Sequence, residues 1–198
     1  MSLSYDDGSH QYKENGVIIP SVTQVIKEAG LINLDWVEPE LLEVKADLGK
    51  KVHLATELYD NNTIDLNELH PTLKLYLNGW IKFRKDYDFI PTEMELQLSH
   101  KLYKYAGRID RVGNIGKDKV LVDIKSGTHQ KTNAIQTAGY ELLYNQDKKK
   151  PGQIKKRLIV YLSTSGYKVE ENKNPNDKNV FLSALTITNY LRSINVKH

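Results

Sequence analysis

The hydrophobic pattern along the chain changes period, and the changes outline its elements. Near the N-terminus, Gln11-Tyr12-Lys13 and Val17-Ile18-Ile19 flank Asn15-Gly16, a pair suited to the positive φ angles of a two-residue hairpin turn. Pro20 ends this hairpin. Ser21-Val22-Thr23-Gln24 then predicts a capping box opening a short helix, which Gly30 closes. Leu41, Leu42, Val44, Leu48, Val52, Ala55, Leu58 and Tyr59 recur at helical spacing and predict a second helix over 39–59. A third spans 71–84, with Pro71 in its first turn and Leu73, Leu77, Trp80, Ile81 and Phe83 forming a broad apolar surface.

Alternation then replaces the helical period. Met94, Leu96 and Leu98 interleave with Glu93, Glu95 and Gln97, which predicts a strand. Two more strands are expected over 105–115 and 119–125, around a Gly116-Lys117 turn, followed by a helix over 132–145. An apolar strand over 157–163, a Ser165-Gly166 turn, a strand over 167–171 and a last helix over 180–194 complete the chain. Helices first, then a mixed sheet with a helix packed across it, predict an α/β (α+β) fold. No internal boundary divides residues 1–198, so a single domain is expected.

Composition narrows the function classes. The 198 residues suffice for one core that needs no staples. The absence of cysteine excludes a disulfide framework, a thiolate zinc site, an iron–sulfur cluster and a cysteine nucleophile. No apolar run approaches the roughly 20 residues that span a bilayer. The stretch Met1-Ser2-Leu3-Ser4-Tyr5-Asp6-Asp7 lacks the basic and apolar regions of a signal peptide. Residues 1–3 read as an expression leader, and a cytoplasmic location is expected.

The net charge of +3 is too small to announce a nucleic-acid binder, but its distribution is uneven. Between 147 and 157, Lys148, Lys149, Lys150, Lys155, Lys156 and Arg157 stand against one acid, Asp147. The run reads either as a solvated loop or as a patch holding phosphates through counterion release.

The strand over 119–125 carries the sharpest chemical anomaly. Val120, Val122 and Ile124 face one side of it, while Asp123 and Lys125 emerge together on the other. A turn at Gly116-Lys117 sets a register that puts Asp110 directly opposite Asp123, with Cβ atoms about 4.5–5.5 Å apart. Two like charges there destabilise a sheet unless a cation lies between them, and carboxylate oxygens suit Mg²⁺ or Mn²⁺. A loop with an odd number of residues would instead place the two acids on opposite faces. The alternative is ordinary surface pairing, Asp110 with Arg108 or Arg111 and Asp123 with Lys125.

Gly107-Arg108-Ile109-Asp110, then Asp123-Ile124-Lys125-Ser126-Gly127, resembles the signature of the PD-(D/E)XK nuclease superfamily, in its RecB-like and phage-type exonuclease branch. Upstream, Gly49-Lys50-Lys51-Val52-His53 is similar to that branch's helical G-x-x-x-H element, and Gln136-Thr137-Ala138-Gly139-Tyr140 to its Q-x-x-x-Y helix. Ile109 stands where the name motif has proline, which is common in this branch.

The resemblance implies a restriction-endonuclease-like core and a Mg²⁺-dependent deoxyribonuclease, with Mn²⁺ as a substitute and no iron–sulfur cluster. It assigns metal binding to His53, Asp110, Asp123 and the Ile124 carbonyl. Lys125 would orient or deprotonate the attacking water and stabilise phosphorane charge. Gln136 and Tyr140 would position substrate or Lys125, and Glu95, preferred to Glu93 for its distance to Gly107, would complete the acidic set. His53 also has the ordinary reading of a hydrogen-bonded helix histidine, Gln136 and Tyr140 that of helix packing, and Glu95 that of an exposed strand charge.

The expected substrate is DNA, held by the basic segment 148–157 and by Ser126, in phage or recombination and repair end processing. A bacterial or phage-encoded setting and a recombinase or single-strand annealing partner go with that reading. A structure-selective or restriction-like endonuclease, and a catalytically silent DNA-binding module, are the alternatives.

Overall fold

The computed structural model of the protein describes residues 2–32, 37–147 and 152–194. It opens with a three-stranded antiparallel sheet of β1 (Leu3–Asp6), β2 (Gln11–Glu14) and β3 (Val17–Ile19). Asn15 and Gly16 take φ angles of 51° and 84°, the left-handed pair that a tight hairpin with native twist requires. The first strand, β1, for which the sequence pattern gives no element, begins at Leu3 opposite Glu14. Short strands of mixed polarity carry a weak period, so pairing rather than pattern creates this one.

The capping box forms as expected, with the Ser21 hydroxyl accepting from Gln24 N and the Gln24 side chain accepting from Ser21 N. It opens α1 (Val22–Glu28). The helices α2 (Pro39–Asp60) and α3 (Pro71–Asp86) each begin on a proline, whose missing N–H lies where no intrahelical partner exists.

The main sheet has the order β4-β5-β6-β7-β8. Its strands are β4 (Phe89–Ser99), β5 (Ala106–Ile115), β6 (Asp118–Lys125), β7 (Lys156–Ser163) and β8 (Gly166–Glu171). All neighbours are antiparallel except β6 and β7, whose parallel pairing needs the crossover supplied by α4 (Thr132–Asn145). A last helix, α5 (Asn176–Ile194), starts four residues before the expected 180. The result is the expected α/β architecture, a mixed sheet flanked by helices.

Helices cover both faces of this sheet. On one, Ile109, Val112 and Leu121 pack with Tyr140 and Leu143 of α4, Phe181 of α5 and Val25 of α1. On the other, Val120, Val122, Ile124 and Val160 pack with Val52 of α2 and with Leu77, Trp80 and Phe83 of α3. Burial on both faces explains why β6 and β7 read as near-continuous apolar runs.

Register and strand ends position the site. Ile115 pairs with Asp118, leaving a two-residue turn, and β5 stays paired with β6 as far as Arg111 opposite Val122. Beyond that point the first half of β5 pairs with β4 and, at Ala106, bridges to Ser21, while β6 continues beside β7 to Lys125. The strands therefore fork at the level of Asp110 and Asp123. Opposite the fork, Glu95 of β4 has φ 48°, a left-handed conformation rare for a residue with a side chain. The side-chain alternation of β5 slips at the same level. Gly107 and Ile109 face α4, but Arg111, two residues on, faces α2 and α3.

One glycine in the sheet is sterically required. A Cβ on Gly113 would collide with the Ile90 carbonyl oxygen and lie 2.6 Å from the Phe89 ring. Gly113→Ala is expected to destabilise the protein by about 1–3 kcal/mol through overpacking, read as a fall of several degrees in the thermal unfolding midpoint.

Candidate metal-assisted active site

Five elements bring the polar residues to the fork. Asp110 comes from β5, Asp123 and Lys125 from β6, His53 from α2, and Gln136 and Tyr140 from α4; Glu95 on β4 completes the set. They line one cavity of about 650 Å³.

Asp110 does not sit beside Asp123 in a regular ladder. Its carboxylate turns into the fork, where Oδ2 accepts from the Ile124 backbone N–H at 2.7 Å. A side-chain acceptor thus takes the place of a main-chain one, which satisfies the buried amide at the end of the paired segment. The same Oδ2 lies 3.6 Å from His53 Nδ1. One ligand atom from each of His53, Glu95 and Asp110 falls within 4.8 Å of the others.

Asp123 is 1% exposed. Its Oδ2 is 2.9 Å from Lys125 Nζ, yet among the described residues no donor is aligned to hydrogen-bond it. Burial, opposed by Lys125 and reinforced by the Asp110 charge, pushes the Asp123 carboxyl up to about 6. Glu95 is raised in the same way, by burial first and by Asp110 second. Lys125 beside Asp123 and Arg111 beside Glu95 do not offset burial and the neighbouring carboxylate charge, so both acids stay raised, as in a site that favours a further cation.

An imidazole nitrogen, clustered carboxylate oxygens and an orphaned buried oxygen fit a divalent cation. His53, Glu95 and Asp110 would hold it, with Asp123 adjoining. Glu93 is turned elsewhere, its Oε1 accepting from Tyr144 OH at 2.6 Å.

Lys125 belongs to a relay. Its Nζ donates to Gln136 Oε1 at 3.0 Å, and Gln136 Nε2 donates to Tyr140 OH at 3.0 Å. Burial works against the ammonium, but the charges of Asp123 and Asp110 outweigh it and hold its pKa above the usual lysine value. Burial also keeps the Tyr140 hydroxyl protonated. Gly107 makes room for this helix, since a Cβ there would lie 2.8 Å from the Tyr140 ring. Ser126 follows at the strand end beside α2, 3.6 Å from where a Cβ of Gly49 would stand.

Arg111 organises the site from behind. It is fully buried. Its Nε donates to Asp60 Oδ2 at 2.6 Å and its Nη2 to Thr56 Oγ1 at 3.1 Å. Nη1 donates to Glu95 Oε1 at 3.0 Å and to the Asp110 carbonyl at 2.6 Å. Trp80 and Arg84 donate to the other oxygen of Asp60. In the sequence Arg111 stood only as an ion partner for Asp110. The signal for its larger role was a charged residue within an apolar strand, whose other partners lie some 50 positions upstream.

The basic segment is placed differently from the expectation. Lys148, Lys149 and Lys150 lie outside the described residues. Arg157 is not an exposed phosphate contact. It is buried and donates to the Ala134 and Asn174 carbonyls and to Asp177. Its side chain is turned into the protein, with three of its five donors on protein acceptors and Nε 3.4 Å from Glu141. Lys156 pairs with Asp118 at 2.7 Å. Lys156 also pairs with Val120, whereas Lys125 pairs with Tyr161, so Lys156 lies about 16 Å along the strands from Lys125. The cations lining the cavity are instead Lys50, Arg108 and Lys125.

The mixed sheet thus forks around two aspartates and a lysine, with His53 and Glu95 beside them able to offer ligands to a cation. The family model of the PD-(D/E)XK nuclease superfamily matches residues 40–186, and the chain belongs to that superfamily. The superfamily is one of nucleases, enzymes that hydrolyse phosphodiester bonds. No curated protein matches the chain. Among 22 matching chains of solved structures is that titled "Crystal structure of SSO0001". It is 19% identical, with 60% of this chain and 58% of that chain covered and a TM-score of 0.41; a likeness at that level carries no argument. Among the described residues, no helix is long and apolar enough to cross a membrane.

Two outcomes are expected. Arg111→Met leaves the buried Asp60 without its closest ion partner and should cost about 3–5 kcal/mol in urea unfolding, with weaker Mn²⁺ binding. The Asp123 value of about 6 exceeds the unfolded value, so in metal-free protein this group favours the folded state as pH falls from 6 toward 4. Cation binding needs the carboxylate, so calorimetric Mn²⁺ affinity should fall by up to about tenfold per pH unit below 6 and level off above 7.

Proposed function

We propose that the protein is a metal-dependent deoxyribonuclease, an exonuclease of the kind that trims DNA ends in phage or recombination and repair processing. The observation that carries this reading is the His53, Glu95 and Asp110 donor set lying in one cavity with the Asp123–Lys125 pair. When bound there, a divalent cation such as Mg²⁺ or Mn²⁺ neutralises phosphate charge and makes water a stronger acid.

The chain's own residues do the rest. Lys125, held as an ammonium by Asp123 and oriented by Gln136, presents positive charge where a phosphorane would develop its negative charge. Its fixed position costs no reorganisation during the reaction. The Asp123 carboxyl, raised to about 6, is a stronger base than an ordinary aspartate, which suits base catalysis on water. Tyr140 buttresses Gln136 and so keeps Lys125 aimed. Lys50, Arg108 and Ser126, at the cavity and its rim, would hold the strand backbone without reading sequence.

The test uses end-labelled linear DNA and a covalently closed circle with Mg²⁺, Mn²⁺ or EDTA. Loss of the linear DNA alone, dependent on metal and abolished in Asp123→Ala, is the expected result. Cutting of the circle would replace the exonuclease reading with an endonuclease one. No cleavage of either, with DNA still bound, would support a silent binding module. Lys125→Ala is expected to lower kcat by about 10²–10³-fold, the scale of losing one preorganised electrostatic contact, with a smaller change in KM.

A further inference from the structure

The cavity has a wall that phosphate chemistry does not use. Beside the cation donors it is lined by Tyr5, His10 and Tyr12 of the N-terminal sheet and, from α2, by Leu54, which is 52% exposed. The rings of Tyr5 and Tyr12 lie 4.6 Å apart. The Arg108 guanidinium sits 5.5 Å from the Tyr5 ring centre and keeps 43% of its side chain exposed. The Tyr5 hydroxyl is 3.0 Å from His10 Nδ1. These groups form a column of planar side chains, from the buried Tyr12 through Tyr5 to an exposed cation 3.4 Å from Glu95.

This wall is fixed to the catalytic sheet. Ala106 N, at the start of β5, donates to the Pro20 carbonyl at 2.9 Å. Glu14 on β2, buried, accepts from Ser99 Oγ and Lys104 Nζ, both at 2.8 Å. The strands that supply the aromatic residues precede residue 40, where the match to the superfamily begins. Tyr5, His10 and Tyr12 thus lie outside the matched residues, whereas Leu54 and Arg108 lie within them.

Phosphates require cations, which the cavity provides in Lys50, Arg108 and Lys125. Aromatic rings and a guanidinium plane suit the flat faces of bases. In a duplex those faces are already stacked on neighbouring pairs, so such a wall gains contact only with an unpaired nucleotide. We propose that Tyr5 and Arg108 form a base-stacking subsite that captures an unpaired nucleotide of a DNA strand beside the cation donors. This rests on the nuclease reading for the identity of the polymer, but not on turnover.

The test is therefore a binding measurement, with Ca²⁺ in place of Mg²⁺. The probe is a single-stranded oligonucleotide carrying one 2-aminopurine, whose fluorescence is quenched when the base stacks. Wild type and Tyr5→Phe should both quench it. Tyr5→Leu, which keeps an apolar body over Tyr12, should bind on the order of tenfold more weakly. An abasic residue in place of 2-aminopurine, read by competition, should cost wild type a similar factor and add little in Tyr5→Leu. A relaxed, covalently closed duplex circle, which has neither ends nor unpaired bases, should compete at least roughly tenfold less well per nucleotide than the single strand. Equal competition by the circle would overturn the subsite, as would indifference of wild type to the abasic residue, a result that needs no variant to fold. Tyr5-dependent quenching without cleavage in Mg²⁺ would leave the subsite standing and remove the nuclease reading. Cleavage without base-dependent binding would do the reverse.

Discussion

The site depends on one buried cation, the Arg111 guanidinium. A fully buried arginine is stable only if its donors meet acceptors in a fixed geometry, and here those acceptors come from three elements. Asp60 and Thr56 belong to α2, Glu95 to β4, and the Asp110 carbonyl to β5 itself. Satisfying the guanidinium therefore fixes α2 against the sheet. Because Thr56 lies one helical turn from His53, the same contact sets where the imidazole stands. It also holds Glu95 in a backbone conformation that a side-chain-bearing residue rarely adopts.

That clamp sits on the far side of a deliberate break in the sheet. A continuous ladder between β5 and β6 would set Asp110 and Asp123 side by side with no compensation. The fork instead lets Asp110 satisfy a main-chain amide and turns both carboxylates into a cavity lined by Lys125. Low dielectric then strengthens every charge contact in the cavity. Burial raises the Asp123 and Glu95 carboxyls, while the neighbouring carboxylate charges outweigh burial and hold Lys125 as an ammonium. The two responses are complementary, since one set of groups calls for a cation and the other stands ready for an anion.

Much of this was legible along the chain. The Asn15-Gly16 turn, the Ser21 capping box, the proline-started helices and the register of the β5–β6 hairpin follow from local rules, because each depends on residues a few positions apart. The D-x-K pair was visible as two charges on an apolar strand. The role of Arg111 was not, because its partners at positions 56 and 60 are about 50 residues upstream. Nor was the burial of Arg157, which looked like part of an exposed basic run until Ala134, Asn174 and Asp177 closed around it. The strand β1 was not legible either, because a four-residue strand has almost no period of its own.

The sequence by itself determined the elements, the mixed sheet and the identity of the charged residues, since period, turn chemistry and caps act over short separations. Tertiary structure alone decided which charges became a site. Distant packing brought α2 to the fork, buried Arg157 while leaving Arg108 partly open, and carried the Tyr5 strand to the cavity wall. Burial and partner geometry, which decide the behaviour of an ionisable group, are properties of the packed whole rather than of the neighbouring residues.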